Sequence, residues 1–190
     1  KSECPSNVDI AKLKSEFFQH YYDAKHTPFN ILMINSLPQI QKCFTAIPFV
    51  YNWTVRNAFT SSIIKHIMGF AQERTLPTIK PINFEKQLKK SNPTKEIKKV
   101  YLFIDEFSAL QDSQVTEIAI KLFTRLGYKI EIAPINESGR IPISKGLVRK
   151  AKKTAQNNVN KLRDIISEKT PMIGIEPSSL LSFRDEYPSL

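Results

Sequence analysis

Apolar positions recur at helical spacing through the first half of the chain and gather into short continuous runs in the second. Ile10, Leu13, Phe17 and Tyr21 follow one another at spacings of 3, 4 and 4, which predicts an amphipathic helix with those four side chains on its buried face. Pro5-Ser6-Asn7 ahead of it reads as a turn with an N-cap, which puts Asp9 in the first turn near the positive end of the helix dipole. A second apolar stretch runs from Ile31 to Ile47 and is interrupted by Pro38. A third helix is predicted from Phe49 to Phe70, burying Trp53, Ile63, Ile64 and Ile67 and stopping near Gly69. From Leu76 to Thr94 the pattern lapses. Pro77, Pro81 and Pro93, with Lys80, Lys86, Lys89 and Lys90, predict a linker holding at most a short helix, and a domain boundary near residue 95.

Beyond that boundary the period changes. Val100-Tyr101-Leu102-Phe103-Ile104 is a continuous apolar run, as expected of a strand buried on both faces. Val115, Ile118, Ala119, Leu122 and Leu126 make a helical stripe ending at Gly127, a plausible C′ glycine. Tyr128 to Ile132 predicts a second strand, Ser144 to Ser167 a long helix, Met172 to Ile175 a third strand and Ser179 to Tyr187 a short helix. The predicted fold is therefore α/β. An N-terminal helical segment, residues 1–95, precedes a βαβαβα domain, residues 96–190, with a parallel sheet and right-handed crossovers. In such sheets ligands sit outside the carboxyl ends of the strands. Those ends carry Asp105-Glu106-Phe107, Asn136-Glu137-Ser138-Gly139-Arg140 and Glu176-Pro177-Ser178-Ser179, so three polar loops are expected to meet on one edge.

Composition narrows the chemistry. The 190 residues are 41% hydrophobic, enough for a real core, and contain no uninterrupted apolar run long enough to span a bilayer. Five glycines leave no Gly-rich phosphate loop. Two cysteines, Cys4 and Cys43, exclude a disulfide scaffold and fit a reducing compartment; Cys43, in apolar surroundings, is expected to be a buried structural thiol. The first residue is Lys1, with no Met and no apolar signal segment, as expected of part of a longer polypeptide.

Two segments carry a resemblance. Glu137-Ser138-Gly139-Arg140, followed by Ile143-Ser144-Lys145-Gly146-Leu147, resembles the loop of the cysteine-rich "Cys-Cys-Gly" domain. That domain occurs in iron–sulfur oxidoreductases such as heterodisulfide reductase, glycerol-3-phosphate dehydrogenase and relatives of glycolate or D-lactate oxidase. Gly174-Ile175-Glu176-Pro177-Ser178-Ser179-Leu180-Leu181, then Arg184-Asp185-Glu186-Tyr187-Pro188, resembles the family's final motif. Glu3-Cys4-Pro5-Ser6-Asn7-Val8-Asp9 is similar to the last cysteine of a ferredoxin-type run, and Arg74-Thr75-Leu76-Pro77 to the segment joining the two regions. The best match is the C-terminal part of FAD-linked oxidases fused to an iron–sulfur module, of the glycolate or D-lactate dehydrogenase kind.

The resemblance implies upstream FAD and ferredoxin-like domains, with FAD and [4Fe–4S] clusters in the full-length protein. It also implies a small 2-hydroxy acid as substrate and a cytoplasmic location, either free or peripheral to the inner face of the membrane. Cys4 is then a cluster ligand in the intact chain; the alternative is an ordinary thiol. The family's own site uses cysteines in the three loops, because thiolates hold such clusters. Here the matching positions are Glu106, Glu137, Ser138 and Ser179, and no cysteine follows Cys43. No cluster or metal is therefore expected in this chain. The expected site is a polar, hydrated depression formed by Glu106, Glu137, Ser138, Gly139, Arg140, Glu176 and Ser179, serving as scaffold or interface and catalysing nothing itself.

Other chemistries are weaker. His20, His26, Cys4 and Cys43 match no zinc spacing, and all three histidines lie far in sequence from Ser138, which leaves nucleophilic hydrolysis without a base. Glu106, Glu137 and Glu176 could crowd into an acid–base pair or a hard-metal site, but solvated acids or helix caps are the favoured reading. Arg140 could pair with Glu137 or with an anionic partner.

The formal charge is +10. Lys145, Arg149, Lys150, Lys152, Lys153, Lys161 and Arg163 crowd one predicted helix with no acid before Asp164. Such a face is either merely solvated or docks on an acidic electron-transfer partner or another domain. The alternative function is a basic module for nucleic acid or an anionic surface, though the chain carries no nucleic-acid-binding signature.

Overall fold

The computed structural model describes residues 9–91 and 98–190. Cys4, the Pro5-Ser6-Asn7 turn and the boundary near residue 95 lie outside the described residues. Four helices come first: α1 (Ile10–Lys25), α2 (Phe29–Cys43), α3 (Pro48–Arg56) and α4 (Ala58–Met68). After α5 (Phe84–Ser91) come β1 (Lys98–Phe103), α6 (Ser113–Arg125), β2 (Tyr128–Ile132), α7 (Arg140–Ser144), α8 (Val148–Leu162), β3 (Met172–Gly174) and α9 (Pro177–Asp185). The α/β class with helices before a parallel sheet is as expected. Among the described residues no helix is long and apolar enough to cross a membrane.

The sheet has the order β2-β1-β3, with β1 parallel to both neighbours. Alternation along β1 divides the core. Val100, Leu102 and Ile104 pack with Phe84 and Leu88 of α5, Ile120 of α6 and Ile130. Tyr101 and Phe103 point the other way and pack with Ala133, Ile135 and Leu162 of α8. The segment read as a linker therefore contributes Phe84, Leu88 and the half-buried Ile82 to the sheet core. A third cluster, Tyr51, Val55 and Ile79, sits among the N-terminal helices and touches Leu110 in the loop after β1.

Several predicted elements are corrected by local chemistry. The single helix from Phe49 to Phe70 is two, because Asn57 turns extended (ψ 128°) and its side chain accepts from Phe59 N and Thr60 N as an N-cap. Gly69 ends α4 in the left-handed conformation, as anticipated. The long helix from Ser144 breaks at Gly146, whose φ is +73°, leaving α7 and α8. Pro38 does not interrupt α2, which runs through it. Asp9 is the N-cap of α1 itself and accepts from Ala11 N and Lys12 N. Cys43, expected inside, is exposed as the last residue of α2.

The largest departure concerns which faces are covered. Ile10, Leu13, Phe17 and Tyr21 are 48–70% exposed, and α1 docks instead through Ser15, whose hydroxyl donates to Ile143 O at 2.8 Å. In α6, Val115, Ile118 and Leu122 face outward, as does Leu126 directly after it, while Ser113, Thr116 and Ile120 are buried. Trp53, Ile63 and Ile67 are likewise exposed. Periodicity identifies an apolar face; it does not say that this chain supplies the cover.

Candidate functional site

β1 delivers Asp105 and Glu106 to the carboxyl edge of the sheet, where both are buried. Asp105 Oδ1 accepts from Ser108 N at 2.8 Å and from the Ser108 hydroxyl, which closes a tight turn directly after the strand. Asp105 Oδ2 accepts from Ser179 Oγ at 2.6 Å, reaching the first turn of α9. Glu106 turns toward the loop after β2. Its Oε2 accepts from Ser138 N at 2.9 Å and its Oε1 from Ser138 Oγ at 2.8 Å. Ser138 and Ser179 are completely buried.

The network continues outward. Ser138 O accepts from Tyr187 OH at 2.8 Å, and Tyr187 OH in turn accepts from Asn158 Nδ2 at 2.8 Å. Asn158 Nδ2 also donates to Glu137 O at 2.7 Å. Gly139, at φ +76°, takes the left-handed turn that starts α7 and lets Arg140 N donate back to Ser138 Oγ at 3.1 Å. Electrostatics follow burial. Desolvation holds the Glu106 carboxyl above the usual carboxylate range; the Ser138 hydrogen bonds oppose this and the Asp105 charge adds to it. Burial pushes Tyr187 up to about 12, with the Asn158 hydrogen bond acting the other way.

The remaining sequence-derived residues are not gathered here. Glu137 Oε1 accepts from Gln39 Nε2 at 2.6 Å, joining the site to α2. Arg140 pairs with Glu186 at 3.0 Å rather than with Glu137, because its side chain lies against the end of α9. Glu176 caps α9, accepting from Ser178 N at 3.2 Å, the helix-cap role favoured for it over metal binding. In place of a hydrated depression, the three loops close on one another through Asp105–Ser179 and Glu106–Ser138.

That closure decides what the residues fit. An iron–sulfur cluster needs thiolates and room; both buried carboxylates here have all four oxygens occupied by protein donors. The set does not fit a cluster, since it offers no thiolate and each carboxylate oxygen already accepts from a protein donor.

No family model and no solved structure matches the chain. Among curated proteins it is similar to D-2-hydroxyglutarate dehydrogenases: 24% identical over 196 residues to that of Pantoea ananatis and 21% over 199 to that of Escherichia coli. The Haemophilus influenzae protein of the same name is 24% identical over 199 residues. The chain is related to the C-terminal part of these dehydrogenases. The match takes in 98% of the chain but 19% of each relative, so the chain spans about a fifth of their length. The resemblance read from residues 137–147 and 174–188 is borne out at that level.

The site also holds residues that sequence reading passed over. Asp105 stood beside Glu106 at a strand end, and its position was the available signal. Asn158 was legible as a polar residue on the buried side of α8, between Ala151, Ala155 and Leu162. Tyr187 belonged to the terminal motif but carried no assigned role. Nothing in the sequence marked Ser108.

Proposed function

We propose that the chain serves as the C-terminal part of a 2-hydroxy-acid dehydrogenase-like oxidoreductase, as a scaffold and interface without a cluster of its own. The observation that carries this reading is the closed network at the strand ends. Of the positions where the resembled family places thiolates, Glu106 and Ser138 are buried and bond to each other, and the buried Ser179 bonds to Asp105. A site so bonded binds the three loops together.

In this reading FAD and [4Fe–4S] clusters belong to upstream domains, where the flavin supplies hydride acceptance and the clusters relay electrons. Cys4 would be the last ligand of the nearest cluster. The exposed stripes of α1 and α6 are the surfaces such domains would cover. The proposed location is the cytoplasm, either free or peripheral to the inner face of the membrane. Anaerobic reconstitution with iron and sulfide tests the reading. The chain is expected to stay colourless; stoichiometric iron and broad visible absorption that survive replacement of Cys4 and Cys43 would overturn it.

A second reading, a basic module for nucleic acid or an anionic surface, rests on α8. Arg149 is held by Asp23 through two bonds of 2.8 and 2.7 Å, and Arg163 lies on Asp164. Lys150, Lys152, Lys153 and Lys161 are exposed and form no ion pair among the described residues. Tight binding of duplex or single-stranded DNA at physiological salt would favour this reading.

A further inference from the structure

The loop after β1 has a second side. Beyond Asp105 and Glu106 it continues through Phe107 to Gln111, and these two residues form one wall of a cavity of about 380 Å³. Helices α2, α3 and α4 form the rest, through side chains such as Leu37, Val55 and Met68, with Leu76 and Pro77 at one margin. This volume is well over twice that of an engineered apolar cavity of roughly 150 Å³ that admits benzene. It falls in the range of small-molecule sites, which are largely apolar with a few placed polar groups.

The polar groups here form a directed chain. Gln111 Nε2 donates to Gln41 Oε1 at 3.1 Å, and Gln41 Nε2 donates to the Tyr51 hydroxyl at 2.9 Å. Both Gln111 and Tyr51 line the cavity, while Gln41 behind them is almost fully buried. The Tyr51 oxygen is thus already an acceptor, and its own proton has no acceptor among the described residues. Tyr51 is only 8% exposed, and burial raises its phenol above the ordinary value, so the proton stays in place. A buried O–H without a partner is costly, and it finds one readily in a ligand oxygen.

We infer that this cavity is a binding site for a small apolar molecule, of aryl-ketone size, with a single carbonyl-type acceptor. The ligand oxygen takes the Tyr51 proton, Gln41 holds the hydroxyl in orientation, and the apolar body fills the space between α2, α3 and α4. The site is separate from the Asp105–Glu106 network and goes beyond the proposed scaffold role.

A matched pair of probes tests this: 2-acetylnaphthalene and 2-ethylnaphthalene, alike in shape, of which only the first has an acceptor. Titrated into the folded chain, both are expected to bind saturably, the ketone about fivefold more tightly, the worth of one net hydrogen bond. Tyr51→Phe should erase that preference while leaving binding of the alkyl probe within about twofold, and Val55→Trp should abolish both by filling the cavity. If Val55→Trp does not fold, the ketone-to-alkyl ratio in Tyr51→Phe decides alone. Absence of saturable binding, a preference that survives Tyr51→Phe, or a folded Val55→Trp that binds like wild type would overturn the inference. So would binding to the 190-residue chain but not to the same chain joined to its upstream domains, since the occupant would then be polypeptide.

Discussion

The Ser179 hydroxyl donates to Asp105 Oδ2 at 2.6 Å and so ties the first turn of α9 to the end of the central strand. Both partners are buried, and Ser108 already serves the other carboxylate oxygen, so no water replaces a lost donor. Ser179→Ala is therefore expected to destabilise the fold by about 1–3 kcal/mol, the cost of stranding a buried acceptor. Ser178→Ala, at an exposed neighbouring position, should stay within about 0.5 kcal/mol of wild type. Urea midpoints of the two variants make the comparison, and equal midpoints would remove the structural role assigned to the network.

Glu106 gives the fold a defined response to pH. Its carboxyl is held above the ordinary value of 4.5 by burial, so the folded state keeps the proton to higher pH than the unfolded chain does. The contribution of this group is full below its ordinary value and is lost as pH rises through the raised one. Glu106→Gln keeps a neutral side chain at every pH. Relative to that variant, wild-type stability should fall as pH climbs from about 4.5 toward neutrality. Chemical denaturation across that range, run on both proteins in parallel, should show the gap widening; a constant gap contradicts the assignment.

The meeting of three loops at one edge was legible because it needs only parallel strands, and the strands announced themselves as apolar runs. Gly69 and Gly127 were legible as helix ends because left-handed backbone there requires little beyond the glycine. Who bonds whom inside the edge was not legible. Asp105 takes Ser179 and Glu106 takes Ser138 because successive residues leave β1 in opposite directions, a matter of side-chain aim rather than pattern. The break at Gly146 was hidden for a related reason, since Leu147 and Val148 prolong the apolar stripe across it. Cover was the hardest to read. The stripe of α1 has ideal spacing and still faces solvent, while Ser15 and Phe18 face the body of the protein.

That packing makes Gly146 the most sensitive backbone position. Its φ is +73°, and a Cβ there would lie 2.3 Å from Phe18 Cβ. Strain and overlap act together, so α1 must lift from the α7–α8 corner or the turn must change. Gly146→Ala is expected to cost about 2–6 kcal/mol, from roughly 1–3 for the backbone and a similar range for the overlap. Gly139→Ala meets only ordinary contacts at 3.7 Å and should cost the backbone share alone. Thermal melts that rank the two in the opposite order would show that α1 does not dock at Gly146.

The lysines of α8 separate the two functional readings. Lys150, Lys153 and Lys161 line a groove beside Asn136 and Glu137, and Lys152 stands on the other flank of the helix. Their carboxylate-free run draws any polyanion at low salt, so weak binding there says little. The decisive condition is physiological ionic strength, where non-specific duplex binding weakens to a Kd of about 10⁻⁴–10⁻⁶ M. A 20-base-pair duplex is expected to bind no tighter than that range, with log K falling steeply against log salt. Converting the four α8 lysines to Gln should weaken binding of a polyglutamate peptide at low salt by about tenfold. The same change at Lys42, Lys86, Lys89 and Lys90 removes equal charge from other helices and should alter it less than threefold. Equal losses in the two variants would reduce the α8 face to its share of the net charge. Nanomolar duplex binding at physiological salt would make nucleic acid, rather than a neighbouring oxidoreductase domain, the partner of this chain.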